Sequence, residues 1–293
     1  MKKMSNFLTN FVINDPLNIS GLTLYPINFD PIVLDENLLL LDDCFDNKLV
    51  QVFEVSQIGN VEKIGIKNNS NFKILIIDGE AIVGAKQNRI AQSTIIIEPN
   101  SEKIIPVNCV EKGRWSETND LNFSKSEFSL SPKMRDNKAA LLKDKNHQDI
   151  QANIWNDIDR LSEKYDKRSS TEDLGEVLLN LNNIDNKILD KIEDQACNGY
   201  FVIGTQKPFI EIFYNNDVRK HHIRKNIKSW IADLETSYFN ENSNDQYLSE
   251  YLNARWLSDT AIGAESAFKS VGSSNGRSYL LNGKLIHSYY FFN

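Results

Sequence analysis

The chain has 293 residues, with 33 Lys and Arg against 40 Asp and Glu for a formal net charge of −7, and 41% hydrophobic and 25% charged residues. These values suit a globular chain long enough to bury a core without disulfides, and they exclude a disordered, collagen-like or coiled-coil chain. The acidic balance disfavours a long nucleic acid as partner, because such binding draws on neutralised phosphates.

No window approaches the ~18 consecutive apolar residues of a membrane span, and the opening MKKMSNFLTNFVIN lacks a signal-peptide core, so the expectation is a cytoplasmic chain with no membrane partner. Cys44, Cys109 and Cys197 are odd in number and scattered, which fits reduced thiols. No His/Cys cluster has ligand spacing, so neither a metal nor a cofactor is expected, and the oligomeric state stays open.

In chain order, residues 1–120 read as a β-rich domain. The segments 22–27, 48–55, 61–67, 71–78, 89–97 and 102–110 are short, rich in Val and Ile, and separated by polar punctuation such as KNNSN and EPNS. The expectation is an antiparallel β-sandwich or barrel-like sheet, with 36–45 ambiguous between helix and strand. From residue 116 a polar run, SETNDLNFSKSEFSLSPKMRDNK, reads as a long loop or mobile lid at a domain boundary.

Residues 121–293 read as a mixed α/β part, either separate from the first or packed with it as one unit, giving an α+β chain. Ile150, Ile154, Ile158, Leu161 and Tyr165 form one helical stripe, and Leu174 to Ile192 continue a second after Ser169-Ser170-Thr171. A hairpin (200–204 with 209–214) precedes a third helix carrying Ile223, Ile227, Trp230, Ile231 and Leu234, and Asn282-Gly283 marks a closing hairpin.

The densest polar stretch is Gly79–Trp115. If 89–97 and 103–110 pair across EPNS, the open end of that hairpin brings Lys86–Arg89 beside Glu111–Trp115. Arg89, Arg114 and Lys86 would suit phosphates, Gln87 and Asn88 sugar or base edges, and Trp115 stacking, together a site for a small anionic or nucleotide-like ligand. The alternative is a structural ion-pair network joining Lys86, Arg89 and Arg114 to Asp78, Glu80 and Glu111.

Glu80 and Glu111 are candidate acid and base, and Cys109 a candidate nucleophile if Lys112 and Arg114 lower its pKa. His221-His222, on a helix with Arg219, Lys220, Arg224 and Lys225, reads as solvated surface, and His287 as core or rim. GSSNGRSY (272–279) lacks P-loop spacing and reads as a turn.

IIDGEAIVGAKQNR and IPVNCVEKGRW resemble the signatures of the bacterial ARPP-1 domain family, named for its genomic association with ADP-ribosylglycohydrolases and rhodanese-phosphatase proteins. A looser resemblance runs through IWNDIDRLSEKYDKRSSTEDL, GYFVIGTQKPFIEIFYN and the His287 region, with departures from the family pattern at Asn108 and Lys112. The resemblance implies a link to ADP-ribose chemistry through genomic neighbours and carries no catalytic role. The expected function is binding or processing of a phosphorylated nucleotide or ADP-ribose-like ligand at Glu80, Arg89, Glu111 and Arg114. The alternative is a non-catalytic protein-binding module of a stress or defence operon.

Overall fold

The computed structural model describes residues 2–116, 122–144, 149–179, 181, 184–235, 244–259 and 266–293. The chain is α+β. Its helices are α1 (Leu41–Asp46), α2 (Pro132–Lys143), α3 (Ile150–Tyr165), α4 (Leu174–Leu179), α5 (Asn186–Glu193), α6 (Asn216–Ala232) and α7 (Asn244–Asn253).

The largest sheet runs Lys2–Lys3, Arg255–Asp259, Ser266–Ser270, Asn275–Leu281, Lys284–Phe291, Phe209–Phe213, Gly199–Ile203, Leu22–Asn28 and Val12–Ile13, with Leu17–Ile19 also on Leu22–Asn28. Alternation along its central strands divides two cores: Tyr200 and Val202 face one with α5 and α6, while Phe201 and Ile203 face another with Tyr251 of α7 and Met4. At its far hairpin Asn282 (φ 51°) and Gly283 (φ 74°) both take the left-handed conformation that a tight two-residue turn requires.

A six-stranded sheet orders Phe123–Ser129, Glu80–Gly84, Arg89–Ala91, Glu102–Cys109, Lys63–Asn68 and Val50–Glu54. A three-stranded sheet holds Ile95–Ile97, Lys73–Ile76 and Leu38–Leu40, the last two parallel. Among the described residues, strand pairs cross residue 120 three times: Lys2–Lys3 with Arg255–Asp259, Leu22–Asn28 with Gly199–Ile203, and Glu80–Gly84 with Phe123–Ser129.

Several elements differ from expectation. The strand expected over 89–97 is two: Arg89–Ala91 pairs with 107–109, then the chain crosses between sheets and Ile95–Ile97 pairs with 74–76. The Ile run tolerates this because it is buried on both faces, Ile95 and Ile97 in one core and Ile96 in another.

The polar run expected as a loop contains the strand Phe123–Ser129, with Phe123, Ser126 and Phe128 buried, and then α2, with Pro132 at its first turn. Its helix was masked by polarity, since Arg135, Asp136 and Lys138 are themselves buried. Residues 117–121 of that run lie outside the described residues. The single helix expected over 174–192 is α4 and α5, the latter capped by Asp185 accepting from Lys187 N at 2.9 Å. The ambiguous 36–45 is both: strand Leu38–Leu40, then α1.

Candidate functional site

Register builds the first cluster. Arg89 lies opposite Cys109 and Ile82, so the turn 85–88 meets the chain leaving the strand at Val110. Gly84 (φ +119°) admits no side chain, because a Cβ there would stand 2.4 Å from the Asn122 carbonyl oxygen. Asn88 Oδ1 accepts from Gly84 N at 2.9 Å and Asn88 Nδ2 donates to Asp173 Oδ1 at 3.1 Å, tying the turn to the start of α4.

Glu111 is the hub. Its Oε1 accepts from Arg114 Nε (2.7 Å) and Thr171 Oγ1 (3.0 Å), and its Oε2 from Arg114 Nη2 (2.6 Å) and Asn88 N (3.1 Å). The carboxylate thus receives a two-pronged guanidinium plus two further donors, a strong charge-assisted arrangement. The remaining Arg114 donors go to the carbonyls of Ala85 and Ser116 and to Asn88 Oδ1. The Gln87 amide donates to Glu111 O at 3.1 Å and accepts from Arg89 Nη1 at 2.7 Å.

Arg89 is fully buried, yet its donors are only partly used. Nη2 reaches Asn60 O at 3.4 Å and Glu54 at 3.9 Å, and Nε has no hydrogen-bond acceptor among the described residues. Its guanidinium lies 5.7 Å from the ring of Trp115, whose side is 43% exposed. Gly59 (φ +82°) packs against this ring: a Cβ there would sit 3.1 Å from Trp115 and 2.9 Å from the Lys86 stem.

Cys109 is buried in the strand and its Sγ accepts from Glu111 N at 3.3 Å. Burial raises its thiol pKa, and the Glu111 amide and Arg89 offset this only in part. Lys112 stands outside the hub, paired with Glu172 at 3.1 Å.

Glu80 belongs to a second, deeper cluster. Its Oε2 accepts from Ile77 N at 3.0 Å, and its Oε1 faces His222 Nε2 at 3.6 Å and Lys225 Nζ at 3.7 Å. Burial would raise this carboxyl, but His222 and Lys225 outweigh it and hold it below the usual range. Lys225 also pairs with Asp42 of α1.

The cluster continues across the sheets. Asp78 pairs with Lys138 and accepts from Tyr279 Oη at 2.7 Å and Tyr289 Oη at 3.1 Å. Thr94 Oγ1 accepts from Asp78 N and stands 2.8 Å from His287 Nδ1, while His287 Nε2 reaches Glu211 Oε1 at 3.1 Å. With the hydroxyl proton on Nδ1, the ring is neutral and donates from Nε2, in line with burial depressing its pKa. Arg135 donates to Glu211 at 2.8 Å and lies over the Tyr289 ring, 4.4 Å from its centre.

The chain belongs to the ARPP-1 family. The family model, described as the ARG and Rhodanese-Phosphatase-superfamily-associated Protein domain, matches residues 10–291. No curated protein and no solved structure matches the chain significantly.

Of the site residues expected from sequence, this ARPP-1 chain brings Gln87, Asn88, Arg89, Cys109, Glu111, Arg114 and Trp115 together, with the Lys86 stem beside them, and sets Glu80 apart among α1 and α6. The basic face of α6, expected in solvent, is turned inward: Arg219, His222 and Lys225 are buried, because Glu80, Asp42 and main-chain carbonyls face it. His287 is core. Sequence reasoning missed Glu54, Asn60 and Asp173 in the first cluster, and Thr94, Arg135, Lys138 and Glu211 in the second. Only Glu211 carried a signal, a lone acid inside the apolar strand FIEIF.

Proposed function

We propose that this ARPP-1 chain binds a phosphorylated nucleotide or ADP-ribose-like ligand in the cytoplasm, at the face formed by Trp115 and Lys86 over the buried Arg89, with Gln87, Asn88, Glu111 and Arg114 holding that face in place. The observation that carries the reading is the half-exposed Trp115 ring backed by the buried Arg89 guanidinium, whose Nε has no acceptor among the described residues. An indole fixed from behind by a buried cation presents its front for a base, and the positive charge of Arg89 and Lys86 around it favours an anionic ligand. The family name, with its ADP-ribosylglycohydrolase association, agrees in chemistry.

The geometry supports binding better than turnover. Glu111 has four donors on its two oxygens, Glu80 lies in the deeper cluster, and the Cys109 thiol is buried with a raised pKa. Calorimetric titration with ADP-ribose, ADP and NAD should show saturable binding, with Trp115→Ala weakening it at least about ten-fold. No heat with any of the three up to about 1 mM would end this reading.

A second reading, a protein-binding module of a stress or defence operon, draws on the apolar side of the same face. Ile58 is 80% exposed next to Gly59, which packs on Trp115. In that case Ile58→Asp would abolish partner capture while leaving nucleotide titrations flat.

A further inference from the structure

The loop joining Ser266–Ser270 to Asn275–Leu281 carries the Gly-Ser-Ser stretch, and it bends without a turn hydrogen bond: the amides of Gly272, Ser273 and Ser274 donate to no acceptor among the described residues. Its carbonyls are engaged instead. Lys143, at the end of α2, donates to Gly272 O and, at 3.2 Å, to Ser274 O, which also accepts from Ser270 Oγ at 2.8 Å. Because the C=O and N–H of a trans peptide point opposite ways, the Ser273 N–H is turned away from Lys143.

Gly272 and Ser273 line a cavity of about 320 Å³ together with Glu250, Asn253, Arg255 and Tyr290, a volume within the range of small-molecule sites. Arg255 is exposed and its guanidinium meets no carboxylate or other acceptor among the described residues. It stands directly opposite Lys3 in the strand pair, and Lys3 Nζ donates to Asn253 Oδ1 at 3.3 Å, which brings that ammonium to the cavity wall. Like charges directly opposite on a sheet repel, so this pair favours an anion between them. The acceptors lie with α7. Glu250 Oε1 accepts from Ser274 Oγ at 2.8 Å and Tyr290 Oη at 3.0 Å, while Oε2 has no donor among the described residues. Asn253 is the last residue of α7, and a helix C-terminus favours positive charge.

Two cations and one carboxylate match a ligand with a doubly charged anion and one ammonium. We propose that this cavity binds a small phosphorylated amine, its phosphomonoester held by Arg255, Lys3 and the Ser273 N–H and its ammonium by Glu250. A phosphomonoester carries nearly two charges at neutral pH, and a guanidinium takes it in a two-pronged fashion. The site shares no residue with the Trp115 face.

The test titrates phosphoethanolamine and ethyl phosphate, which lacks the ammonium, into the full chain by calorimetry, with melting temperatures recorded for every variant. In wild type phosphoethanolamine should bind saturably and at least about ten-fold more tightly than ethyl phosphate; Glu250→Gln should bring the two within about two-fold, and Arg255→Gln should weaken both at least about ten-fold. Trp115→Ala should leave both affinities unchanged. Absence of saturable heat with phosphoethanolamine up to about 5 mM overturns the site. So does equal binding of the two compounds by wild type, or binding that survives intact in a folded Arg255→Gln. Binding lost in Trp115→Ala would belong to the other face and overturns this one.

Discussion

Lys138 and Asp78, in the deeper cluster, have no exposed side-chain surface, and every oxygen of Asp78 is taken by Lys138, Tyr279 or Tyr289. In the signature cluster Arg114 keeps 13% of its side chain exposed, Trp115 43%, and Glu54 holds a carboxylate without donors. Both regions are ionic and both leave some buried polar atoms without hydrogen bonds, Glu80 Oε1 and Arg135 Nε in the deeper one and Arg89 Nε in the other, yet the deeper one is enclosed around Lys138 and Asp78 whereas the signature cluster reaches the surface at Arg114 and Trp115. An enclosed ionic network fixes how sheets and helices dock, whereas one that reaches the surface can also meet a ligand.

The sharpest way to break that contrast is to remove one partner from the closed cluster. Lys138→Met leaves Asp78 as a buried charge with only tyrosine donors, and should cost about 3–5 kcal/mol by urea unfolding. Adding Asp78→Leu should recover most of the loss, because an apolar pair of similar volume removes the desolvation cost of both ions. A double variant as unstable as the single one would mean the pair does more than neutralise itself.

In the signature cluster the corresponding substitution is Glu111→Gln, which breaks the two-pronged Arg114 contact and weakens the hold on Thr171 and Asn88. It should cost about 2–3 kcal/mol, somewhat less than Lys138→Met because the site keeps partial solvent access. Nucleotide affinity should fall with it, since the turn 85–88 and Trp115 lose their common anchor. Unchanged affinity in a folded Glu111→Gln would separate the anchor from the binding face.

These contacts show what the sequence could and could not carry. The approach of Lys86–Arg89 to Glu111–Trp115 follows from turn arithmetic within about thirty residues, and the Asn282-Gly283 hairpin and the stripe of α3 follow from local chemistry and period. The crossing of Gln92–Thr94 between sheets does not, because an Ile run buried on both faces looks like one strand whichever sheet takes it.

Nor does the inward basic face of α6. Lys225 and His222 carry the local signature of a solvated helix surface, and only the tertiary arrival of Asp42 and Glu80 reverses it. For the same reason Arg135 and Lys138 concealed α2 within a run that reads as loop. Glu54 was illegible because its distinction is the absence of donors around it, a property of the packed neighbourhood and not of the residue.

Acid titration probes the closed cluster more gently. Burial alone would raise the Asp42 carboxyl, but His221 and Lys225 outweigh it and bring its pKa from 3.8 to about 2. A lowered carboxyl adds stability that is fully present above the unfolded value and lost as pH falls towards the folded one, here about 2 kcal/mol disappearing between pH 4 and pH 2. The stability gap between wild type and Asp42→Asn should therefore narrow over that window. A gap that stays constant down to pH 2 would show that Asp42 contributes through packing and not through charge.

The smallest expected change in stability comes from Trp115→Ala, and it bears most directly on the difference between the two regions. The ring is 43% exposed and its packed side touches Gly59 and the Arg89 guanidinium, so truncation should cost only about 1 kcal/mol. If the open cluster serves a ligand, this mild structural change should coincide with the largest loss of nucleotide affinity among the four substitutions. Lys138→Met should show the reverse in whatever fraction remains folded, with large destabilisation and near-normal affinity. Parallel urea unfolding and calorimetric titration of both variants read the two effects separately. If affinity instead tracks stability across the series, the face around Trp115 has no binding role of its own, and the signature cluster would be a second closed network that happens to lie near the surface.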